Sequence, residues 1–210
     1  MKVIAVIPAR GGSRRCPRKN IAQLGPYPLI VWTIKSALEC NLFDKVIVTT
    51  DDEEIANVAK DYDVTVWKRD PILARDSTPM LPVVLDVFGA HPADIVVTLQ
   101  PTSPFRRIED IKAAYQLLIE SKGDSVFSVT EAEEDLVFEL GHSKQLRRCP
   151  NVVVPNGALF LITGEALNRG ESWFSGYAYG YSMPKEQSLD IDTPLDLEIA
   201  RMIVRGDIAA

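Results

Sequence analysis

A basic turn containing two glycines follows the first apolar run of the chain. Of the thirteen residues 8–20, five are arginine or lysine, although the whole chain has a formal net charge of −6. Gly11 and Gly12 let the backbone approach a ligand closely, and N–H groups in such a turn can form an anion-binding concavity. The turn lacks the spacing of a Walker A loop and of a dinucleotide-binding fingerprint. We predict a phosphate-binding loop here, with a solvated basic turn as the alternative.

Two aspartates near the carboxyl terminus have a spacing that suits a cation site. Asp190 and Asp192 are separated by Ile191, so in an extended segment both carboxylates point the same way. Paired carboxylate oxygens suit Mg²⁺, which usually also binds substrate phosphate and water. The pattern therefore predicts a Mg²⁺ cofactor held by Asp190 and Asp192. The alternative is that Asp192 caps the helix that follows it.

Polar side chains follow two further predicted strands. Gln100, Thr102 and Ser103 lie in a proline-rich segment, and their amide and hydroxyl groups suit a hydroxyl-rich ligand. A plain turn that ends in a helix cap is the alternative. Arg69 and Arg75 follow another strand, where they either contact phosphate or base or belong to an ordinary surface loop.

An acidic pair follows the second predicted strand. Asp51 and Asp52 are placed to contact a ribose or a metal, and they also suit capping of the next helix. Of these two interpretations, helix capping is favoured by the four acids that open the helix.

Residues for covalent catalysis do not form a recognisable pattern. His91 and His142 are the two histidines of the chain and lie far apart in sequence. Cys149 has no neighbouring base, so a Cys/His nucleophile is not expected. The aromatic stretch Trp173–Tyr181 suits either a sugar platform or a packed core.

The elements that must position these residues alternate between strand and helix patterns. This alternation predicts an α/β fold with a doubly wound, mainly parallel sheet covered by helices on both faces. Ligands of such a sheet bind beyond the carboxyl ends of its strands. The predicted strands are Lys2–Ile7, Lys45–Thr49, Val64–Trp67, Asp94–Leu99 and Ser125–Val129, and the predicted helices are Pro28–Cys40, Asp51–Asp61, Pro79–Ala90 and Ile108–Ser121.

The pattern changes in the second half of the chain. Three strand patterns separated by Gly, Pro and Asn precede one last helix pattern. They lie at Val137–Leu140, Ala158–Thr163, Tyr177–Met183 and Thr193–Val204. We expect residues 1–210 to form a single domain, in which residues 131–187 complete the sheet and add a small dimerisation or lid extension.

Composition limits the classes of protein that fit. Apolar residues make up 46% of the chain and charged residues 25%, which is ordinary for a globular domain. The negative net charge argues against a nucleic-acid partner. Three cysteines without a zinc or disulfide pattern favour a reducing, cytoplasmic location. The apolar run at the amino terminus is too short for a signal peptide or a membrane span, so no membrane partner is expected.

Four segments together resemble the acylneuraminate cytidylyltransferases, which are also called CMP-sugar synthetases. The most specific is the basic turn, where Ile7–Ser13 and Pro17–Asn20 resemble the nucleotide loop of the family. The family's second motif, its sugar-site segment and its metal motif are matched by Leu99–Pro104, Pro155–Phe160 and Asp190–Asp192. Their order and approximate spacing fit over essentially the whole chain.

The resemblance implies a fold of the nucleotide-diphospho-sugar transferase (Rossmann-like) type and a defined reaction. Members of this family transfer CMP from CTP to the anomeric hydroxyl of a nine-carbon 2-keto sugar acid, sialic acid or a related nonulosonic acid, and release pyrophosphate. CTP and a sugar acid are then the expected partners, with a homodimer as the expected assembly. The alternatives are a nucleotidyltransferase of the same fold that uses another nucleotide or acceptor, and a nucleotide-sugar binding module without turnover.

The resemblance also implies roles for individual residues. Trp173 and Phe174 fall where family members place aromatic residues that a neighbouring subunit donates. The residues expected at the nucleotide are Arg10, Gly11, Gly12, Ser13, Lys19, Asn20, Arg69, Asp76 and Ser77. Those expected at the acceptor are Gln100, Thr102, Ser103, Asn156, Phe160, Trp173 and Phe174. Catalysis is expected from Arg10, Lys19, Asp190 and Asp192.

Two departures from the family pattern concern the acceptor and the assembly. Sialic-acid enzymes of the family usually carry an arginine directly before the Pro-Asn-Gly segment, to pair with the sugar carboxylate. Val154 stands there in this chain and cannot form that clamp, which leaves Arg147 and Arg148 as alternative cations. The acceptor is then a related nonulosonic acid, a different sugar acid or a less anionic compound. The segment between Val129 and Asn156, where the family usually builds its dimer arm, is short, so the mode of assembly stays open.

Overall fold

The computed structural model describes residues 1–132, 137–140, 146–149 and 152–208, and in the two short ranges it describes the backbone alone. In chain order the elements are β1 Val3–Pro8, β2 Gln23–Leu24, β3 Tyr27–Pro28, α1 Leu29–Glu39, β4 Lys45–Thr50, α2 Glu53–Lys60, β5 Thr65–Lys68, α3 Met80–Ala90, β6 Ile95–Leu99, α4 Ile108–Ser121, β7 Ser125–Glu131, β8 Val137–Leu140, β9 Leu146–Cys149, β10 Val153–Thr163, α5 Gly164–Asn168, β11 Ala178–Ser182 and α6 Pro194–Arg205. No helix within these described ranges is both long and apolar enough to cross a membrane.

One seven-stranded sheet organises the fold, in the order β11-β7-β10-β6-β1-β4-β5. The pairings β1–β4, β1–β6, β4–β5 and β7–β11 are parallel, whereas β10 runs antiparallel to both of its neighbours, β6 and β7. The predicted mainly parallel sheet is confirmed. Because β10 is inverted, its first residues lie at the same edge of the sheet as the carboxyl ends of the parallel strands.

The central strand β1 shows why an uninterrupted apolar run forms this sheet. Its residues Val3, Ala5 and Ile7 pack into a core on one face, while Ile4 and Val6 pack into a second core on the other. A strand buried on both faces needs apolar side chains at every position, unlike a strand with one solvated face. The run therefore specifies a central strand covered by helices on both sides.

Helices cover both faces of the sheet. Apolar residues of α1, α2 and α4 belong to the core on one face, and residues of α3 and α5 belong to the core on the other. A third, smaller cluster lies beneath the loops, where Leu197 and Ala200 of α6 pack with Cys16 and Ile191. That cluster ties the basic turn to the segment that carries Asp190 and Asp192.

Some local expectations were wrong. Helix α6 is capped by Thr193 rather than Asp192. The Thr193 hydroxyl accepts from the Asp196 N–H, and the Asp196 carboxylate accepts from the Thr193 N–H. The Asp192 side chain is therefore available for other contacts. The last sheet strand before α5 begins at Val153, five residues earlier than the predicted Ala158. The hairpin β2–β3, helix α5 and strand β9 were not predicted.

A buried arginine joins three elements near the candidate site. Arg106 is 4% exposed and donates to the Ala158 carbonyl oxygen at 2.6 Å and to the Thr33 hydroxyl at 3.1 Å. Replacing Arg106 with methionine leaves those acceptors buried without a donor. We expect the free energy of unfolding to fall by about 1–3 kcal/mol. Urea unfolding measures this, and equal midpoints for Arg106→Met and the exposed control Lys112→Met would contradict it.

Candidate functional site

The loops that carry most of the candidate residues meet at one edge of the sheet. Strands β1, β4, β5 and β6 are parallel, so their carboxyl ends at Pro8, Thr50, Lys68 and Leu99 lie side by side. The segments that follow these strands are the basic turn, the Asp51–Asp52 pair, the segment with Arg69 and Arg75, and the Gln100 segment. This is the edge at which open α/β sheets bind ligands.

A first cleft at this edge is rich in positive charge. Its described lining contains one carboxylate, that of Asp76, and four cationic side chains. The cations are Arg10, Lys19, Arg69 and Arg75. Asn20, Gln100 and Thr102 also line it. In a chain of net negative charge, this local excess of cations attracts an anionic ligand.

Contacts with the start of α2 hold the basic turn in place. The Gly11 N–H donates to Asp51 Oδ1 at 3.0 Å, and Arg18 forms ion pairs with Asp52 and Glu54. A Cβ atom on Gly11 would lie 2.5 Å from Asp52 Oδ2, so only glycine fits there. Asp52 also caps α2 by accepting from two backbone N–H groups, which confirms the capping interpretation. The Asn20 amide donates to the Arg10 carbonyl at 2.9 Å and fixes the other end of the turn.

Two loops meet through Asp76. Arg10 pairs with the Asp76 carboxylate at 2.7 Å, and Arg14 pairs with its other oxygen. The Arg14 side chain is 86% exposed, whereas that of Arg10 is 33% exposed and lines the first cleft. Arg10 is thus partly covered and held over the cleft by a carboxylate that an incoming anion can replace.

Arg69 is a fixed cation in the wall of the first cleft. It is 4% exposed and donates to the Thr49 carbonyl oxygen at 2.7 Å. Burial lowers the pKa of Arg69 to about 10, and the nearby Arg10 charge acts in the same direction while Asp51 opposes it. The side chain remains charged at neutral pH, and its position is set before any ligand binds.

The basic turn and the acidic segment are in direct contact. Lys19 Nζ donates to Asp192 Oδ1 and to the Ile191 carbonyl oxygen, both at 2.9 Å. Arg15 donates to Asp192 Oδ2 at 2.6 Å. The predicted phosphate-binding loop and the predicted Mg²⁺ pair, near the two ends of the chain, therefore share one site.

Asp190 is partly buried, and its Oδ1 atom is buried without a hydrogen-bond partner. Burial raises the pKa of the Asp190 carboxyl, and the charge of Asp192 adds to the shift. The nearby Thr102 hydroxyl and the Lys19 ammonium lower the same pKa, although Thr102 Oγ1 has no hydrogen-bond partner in the structure. An unpartnered buried carboxylate oxygen is costly in the free protein, and a cation ligand is its natural partner.

The donor set fits Mg²⁺. Asp190 and Asp192 supply carboxylate oxygens, which are the ligands this ion prefers. Within the described part of the chain, no three His, Cys, Asp or Glu side chains form a metal cluster. A cation at this position would therefore share two carboxylates with water and with phosphate oxygens of the substrate, which is the usual arrangement for Mg²⁺.

A second cleft lies beside the first and shares Gln100 with it. Asp190 lines the second cleft, and Thr102, whose carbonyl oxygen accepts from the Ile191 N–H at 2.8 Å, lines the first. The two clefts thus meet at Gln100 and the acidic segment. The described lining of the second cleft consists of Gln100, Thr130, Glu131, Val154, Pro155, Asn156, Gly157, Phe160, Lys185, Ser188, Leu189 and Asp190.

The Asn156 side chain fastens the second cleft together. Its amide nitrogen donates to Ser188 Oγ at 2.8 Å, while its oxygen accepts from Ser128 Oγ and from the Ala158 N–H. These contacts link strands β7 and β10 to the segment before Asp190. Sequence reasoning placed Asn156 beside the acceptor; the structure shows that much of its hydrogen-bonding capacity is used within the protein.

Glycine at position 157 leaves room between the two clefts. Gly157 has a φ of +79°, and a Cβ atom there would lie 3.6 Å from Gln100 Oε1 and 3.8 Å from Asp190 Oδ2. The irregularity in β10 between Pro155 and Phe160 produces this turn. Sequence periodicity gives no sign of it.

Other expected site residues do not line either cleft among the described residues. Gly11, Gly12 and Ser13 belong to the basic turn but are not lining residues, and Ser77, Ser103 and Asp192 are not lining residues either. Ser103 is fully buried, with an unpartnered hydroxyl. The side chains of Arg147 and Arg148 lie outside the described residues.

The two aromatic residues expected at the acceptor differ in burial. Trp173 is 5% exposed and packs on Phe160 with 5.2 Å between ring centroids, so it is a core residue of its own chain. Phe174 is 61% exposed and lies 4.9 Å from the Phe127 ring. Phe174 is therefore accessible to a neighbouring molecule, whereas Trp173 is not.

Sequence reasoning missed several residues of the site, among them Arg15, Lys185 and Ser188. Arg15 pairs with Asp192, and its position in the basic turn was the available signal. Lys185 and Ser188 line the second cleft. Nothing in the local pattern distinguishes them from ordinary loop residues.

Solved structures with the same architecture are nucleotidyltransferases. One is a CMP-2-keto-3-deoxy-manno-octonic acid synthetase in complex with CTP, with a TM-score of 0.71, 16% identity and coverage of 99% of this chain and 100% of that one. Another is a 4-diphosphocytidyl-2C-methyl-D-erythritol synthase from Anaerococcus prevotii, with a TM-score of 0.72, 14% identity and coverage of 97% and 98%. The sheet and its helices therefore define an α/β nucleotidyltransferase fold.

Sequence comparison identifies the family within that fold class. The cytidylyltransferase family model matches residues 4–150. An N-acylneuraminate cytidylyltransferase of Escherichia coli is 35% identical over 95% of this chain and 51% of its own length. A CMP-N,N'-diacetyllegionaminic acid synthase of Legionella pneumophila is 32% identical over 97% of both chains, and a pseudaminic acid cytidylyltransferase of Campylobacter jejuni is 30% identical over 98% and 97%.

This chain belongs to the cytidylyltransferase family, and the resemblance to acylneuraminate cytidylyltransferases is confirmed. It spans about half the length of the Escherichia coli relative and nearly all of the Legionella and Campylobacter relatives.

Proposed function

We propose that the protein transfers CMP from CTP to the anomeric hydroxyl of a 2-keto sugar acid, sialic acid or a related nonulosonic acid, and releases pyrophosphate. The observation that carries this proposal is the junction of two clefts, one rich in cations, at Gln100 and the acidic segment. The names of the relatives supply the substrate class.

The first cleft is suited to the nucleotide. Arg10, Lys19 and Arg69 line it and neutralise the triphosphate, while Asn20 shapes the loop that holds them. Asp76 gives up its pairing with Arg10 when phosphate enters. We assign the rest of the nucleotide contacts to the backbone of the basic turn and the adjoining loop, at Gly11, Gly12, Ser13 and Ser77.

The second cleft is suited to the acceptor. Phe160 and the Asn156 region form its wall, and Gln100 at the junction reaches both substrates. The Thr102 carbonyl oxygen accepts from the Ile191 N–H and so holds the acidic segment beside the cleft. We assign the hydroxyls of Thr102 and Ser103 to the substrates. This arrangement brings the acceptor hydroxyl towards the α-phosphate of the nucleotide.

The reaction is an in-line displacement at phosphorus. The acceptor oxygen bonds to the α-phosphorus as the bond to the pyrophosphate oxygen breaks, and the hydroxyl proton is released. Positioning and charge neutralisation are the main requirements of such a reaction, and no protein nucleophile is needed. Mg²⁺, when bound by Asp190 and Asp192, supplies charge neutralisation on the phosphates. Lys19 and Arg10 hold the phosphate chain in line with the acceptor.

Assembly and location complete the proposal. We infer a cytoplasmic location, because Cys16 and Cys40 are free thiols. We infer a homodimer, because apolar side chains are exposed near the second cleft and the β11 edge. Val154, Phe174 and Tyr177 are 42%, 61% and 76% exposed. In a dimer Phe174 is the aromatic residue available to a neighbouring acceptor site, while Trp173 stays in its own core. Light scattering measures the mass, and a monomer at all concentrations would contradict a dimer.

A panel of substrates tests the proposed reaction. CTP, GTP, UTP and ATP are each combined with a set of 2-keto sugar acids, and pyrophosphate release is measured. We expect release with CTP and a nonulosonic acid. Pyrophosphate release with another nucleotide but not with CTP would indicate a different nucleotidyltransferase activity. CTP binding without pyrophosphate release in any combination of nucleotide and sugar acid would indicate a binding module.

The raised pKa of Asp190 gives a prediction about pH and stability. Because burial raises that pKa, the folded protein binds this proton more tightly than the unfolded chain does, so the stabilising effect of protonation is lost as pH rises through the folded pKa. Asp190→Asn should therefore raise the free energy of unfolding of chelator-treated protein at about pH 8, and by less at about pH 5. It should also abolish turnover. Urea unfolding at both pH values measures the difference, and an Asp190→Asn variant less stable at the higher pH would contradict the prediction.

A further inference from the structure

The second cleft has an unusual charge balance for a site that accepts an acid. Among its described lining residues, the charged side chains are Glu131, Asp190 and Lys185. The proposed cation compensates Asp190, whereas Glu131 repels an anion, so the carboxylate of an acid is favoured away from Glu131 and near the one positive charge among these three. That charge belongs to Lys185.

Position 154 cannot supply the missing cation. Val154 lines the second cleft and is 42% exposed, so an aliphatic side chain stands where it meets the ligand. Pro155 and Phe160 continue the same apolar wall. An acid bound in this cleft must therefore turn its carboxylate away from that wall, towards the side formed by residues 185–190.

Backbone contacts hold Lys185 at that side of the cleft. It begins a 3-10 turn, Lys185–Gln187, in which the Ser188 N–H donates to the Lys185 carbonyl at 3.0 Å. The turn is tied at one end because the Met183 N–H donates to the Val129 carbonyl at 2.8 Å. It is tied at the other because Ser188 Oγ accepts from the Asn156 amide. The lysine therefore has a fixed attachment point beside Asp190.

We propose that Lys185 binds the carboxylate of the acceptor and is the residue that selects an acid in this cleft. The inference rests on the proposed function, since a 2-keto sugar acid carries its carboxylate on the anomeric carbon, which also bears the reacting hydroxyl. A cation that lines the same cleft as Asp190 holds that carboxylate close to the reaction centre. A lysine ammonium makes point-charge contacts where an arginine makes a bidentate clamp, so it sets fewer demands on the orientation of the acid.

Kinetics of three variants test this role. Lys185→Met removes the charge, Lys185→Arg keeps it, and Lys122→Met removes a lysine that lines a different cleft. We expect Lys185→Met to raise the KM for the acceptor about 10–100-fold, the loss typical of a hydrogen bond to a charged group. The KM for CTP should not change, Lys185→Arg should retain most of the affinity, and Lys122→Met should match the wild type. An unchanged acceptor KM in Lys185→Met would overturn the proposal.

A binding measurement separates this inference from the proposed reaction. Isothermal titration of N-acetylneuraminic acid and of its methyl ester compares ligands with and without the carboxylate charge. We expect the wild type to prefer the acid and Lys185→Met to lose that preference, whether or not pyrophosphate is released. Absence of the preference in the wild type, or its persistence in Lys185→Met, would refute the role of Lys185. If it persists there and disappears in Arg147→Met or Arg148→Met, the carboxylate site belongs to those arginines.

Discussion

Replacing Asp192 with alanine should lower kcat for pyrophosphate release by at least about 10²–10³-fold, the loss typical when charge stabilisation of a transition state is removed. In the free protein the Asp192 carboxylate is paired with Lys19 and Arg15. Its removal therefore leaves two cations without their partner beside the first cleft. CTP binding in the absence of a divalent cation should be unchanged or tighter, while turnover is lost.

That separation of binding from turnover distinguishes a catalytic carboxylate from a structural one. Initial rates and CTP titrations of Asp192→Ala are compared with those of Glu198→Ala, which breaks only the surface ion pair with Arg201. Glu198→Ala should turn over normally. Near-normal kcat in Asp192→Ala would remove this residue from the reaction, and a large loss of thermal stability would indicate a structural role.

Replacing Arg10 with alanine should reduce kcat/KM for CTP by at least about 10²–10³-fold. Arg10 lines the first cleft and pairs with Asp76 in the free protein, so its guanidinium is already in place when the triphosphate binds. We expect the KM for CTP to rise and the KM for the sugar acid to change little, because Arg10 is not among the described lining residues of the second cleft.

Arg14 provides a matched control. It pairs with the same Asp76 carboxylate but its side chain is 86% exposed, and it does not line the first cleft. Arg14→Ala removes the same charge from the same turn. Because Arg14 does not line the first cleft, this variant should keep the KM for CTP within a few-fold of the wild-type value. Equal losses in the two variants would mean that the net charge of the turn matters and the position of Arg10 does not.

The parallel part of the fold was predictable because its signal is local. A strand such as β1 is buried on both faces and therefore reads as a continuous apolar run, bounded by a turn. The inverted strand β10 was not predictable in the same way. Its direction is set by pairing with β6, where Leu159 lies opposite Leu99, and a sequence pattern carries no information on strand direction.

The candidate site was predictable as a set of motifs but not as a set of contacts. The rule that loops at the carboxyl ends of parallel strands share one edge was sufficient to group Arg10, Arg69 and Gln100. The contact between Lys19 and Asp192 joins residues 173 positions apart, and only the folded chain shows it. Local pattern likewise did not show that the Asn156 amide is engaged within the protein or that Trp173 is a core residue.

The location of a bound cation relative to CTP tests the central claim most directly. Crystals grown with CTP and Mn²⁺, which is visible by anomalous scattering, give both positions in one experiment. We predict an anomalous peak about 2.0–2.2 Å from carboxylate oxygens of Asp190 and Asp192, with the triphosphate between that peak and the side chains of Arg10 and Lys19. A triphosphate bound away from the basic turn, or a cation on the phosphates with neither aspartate as a ligand, would contradict it.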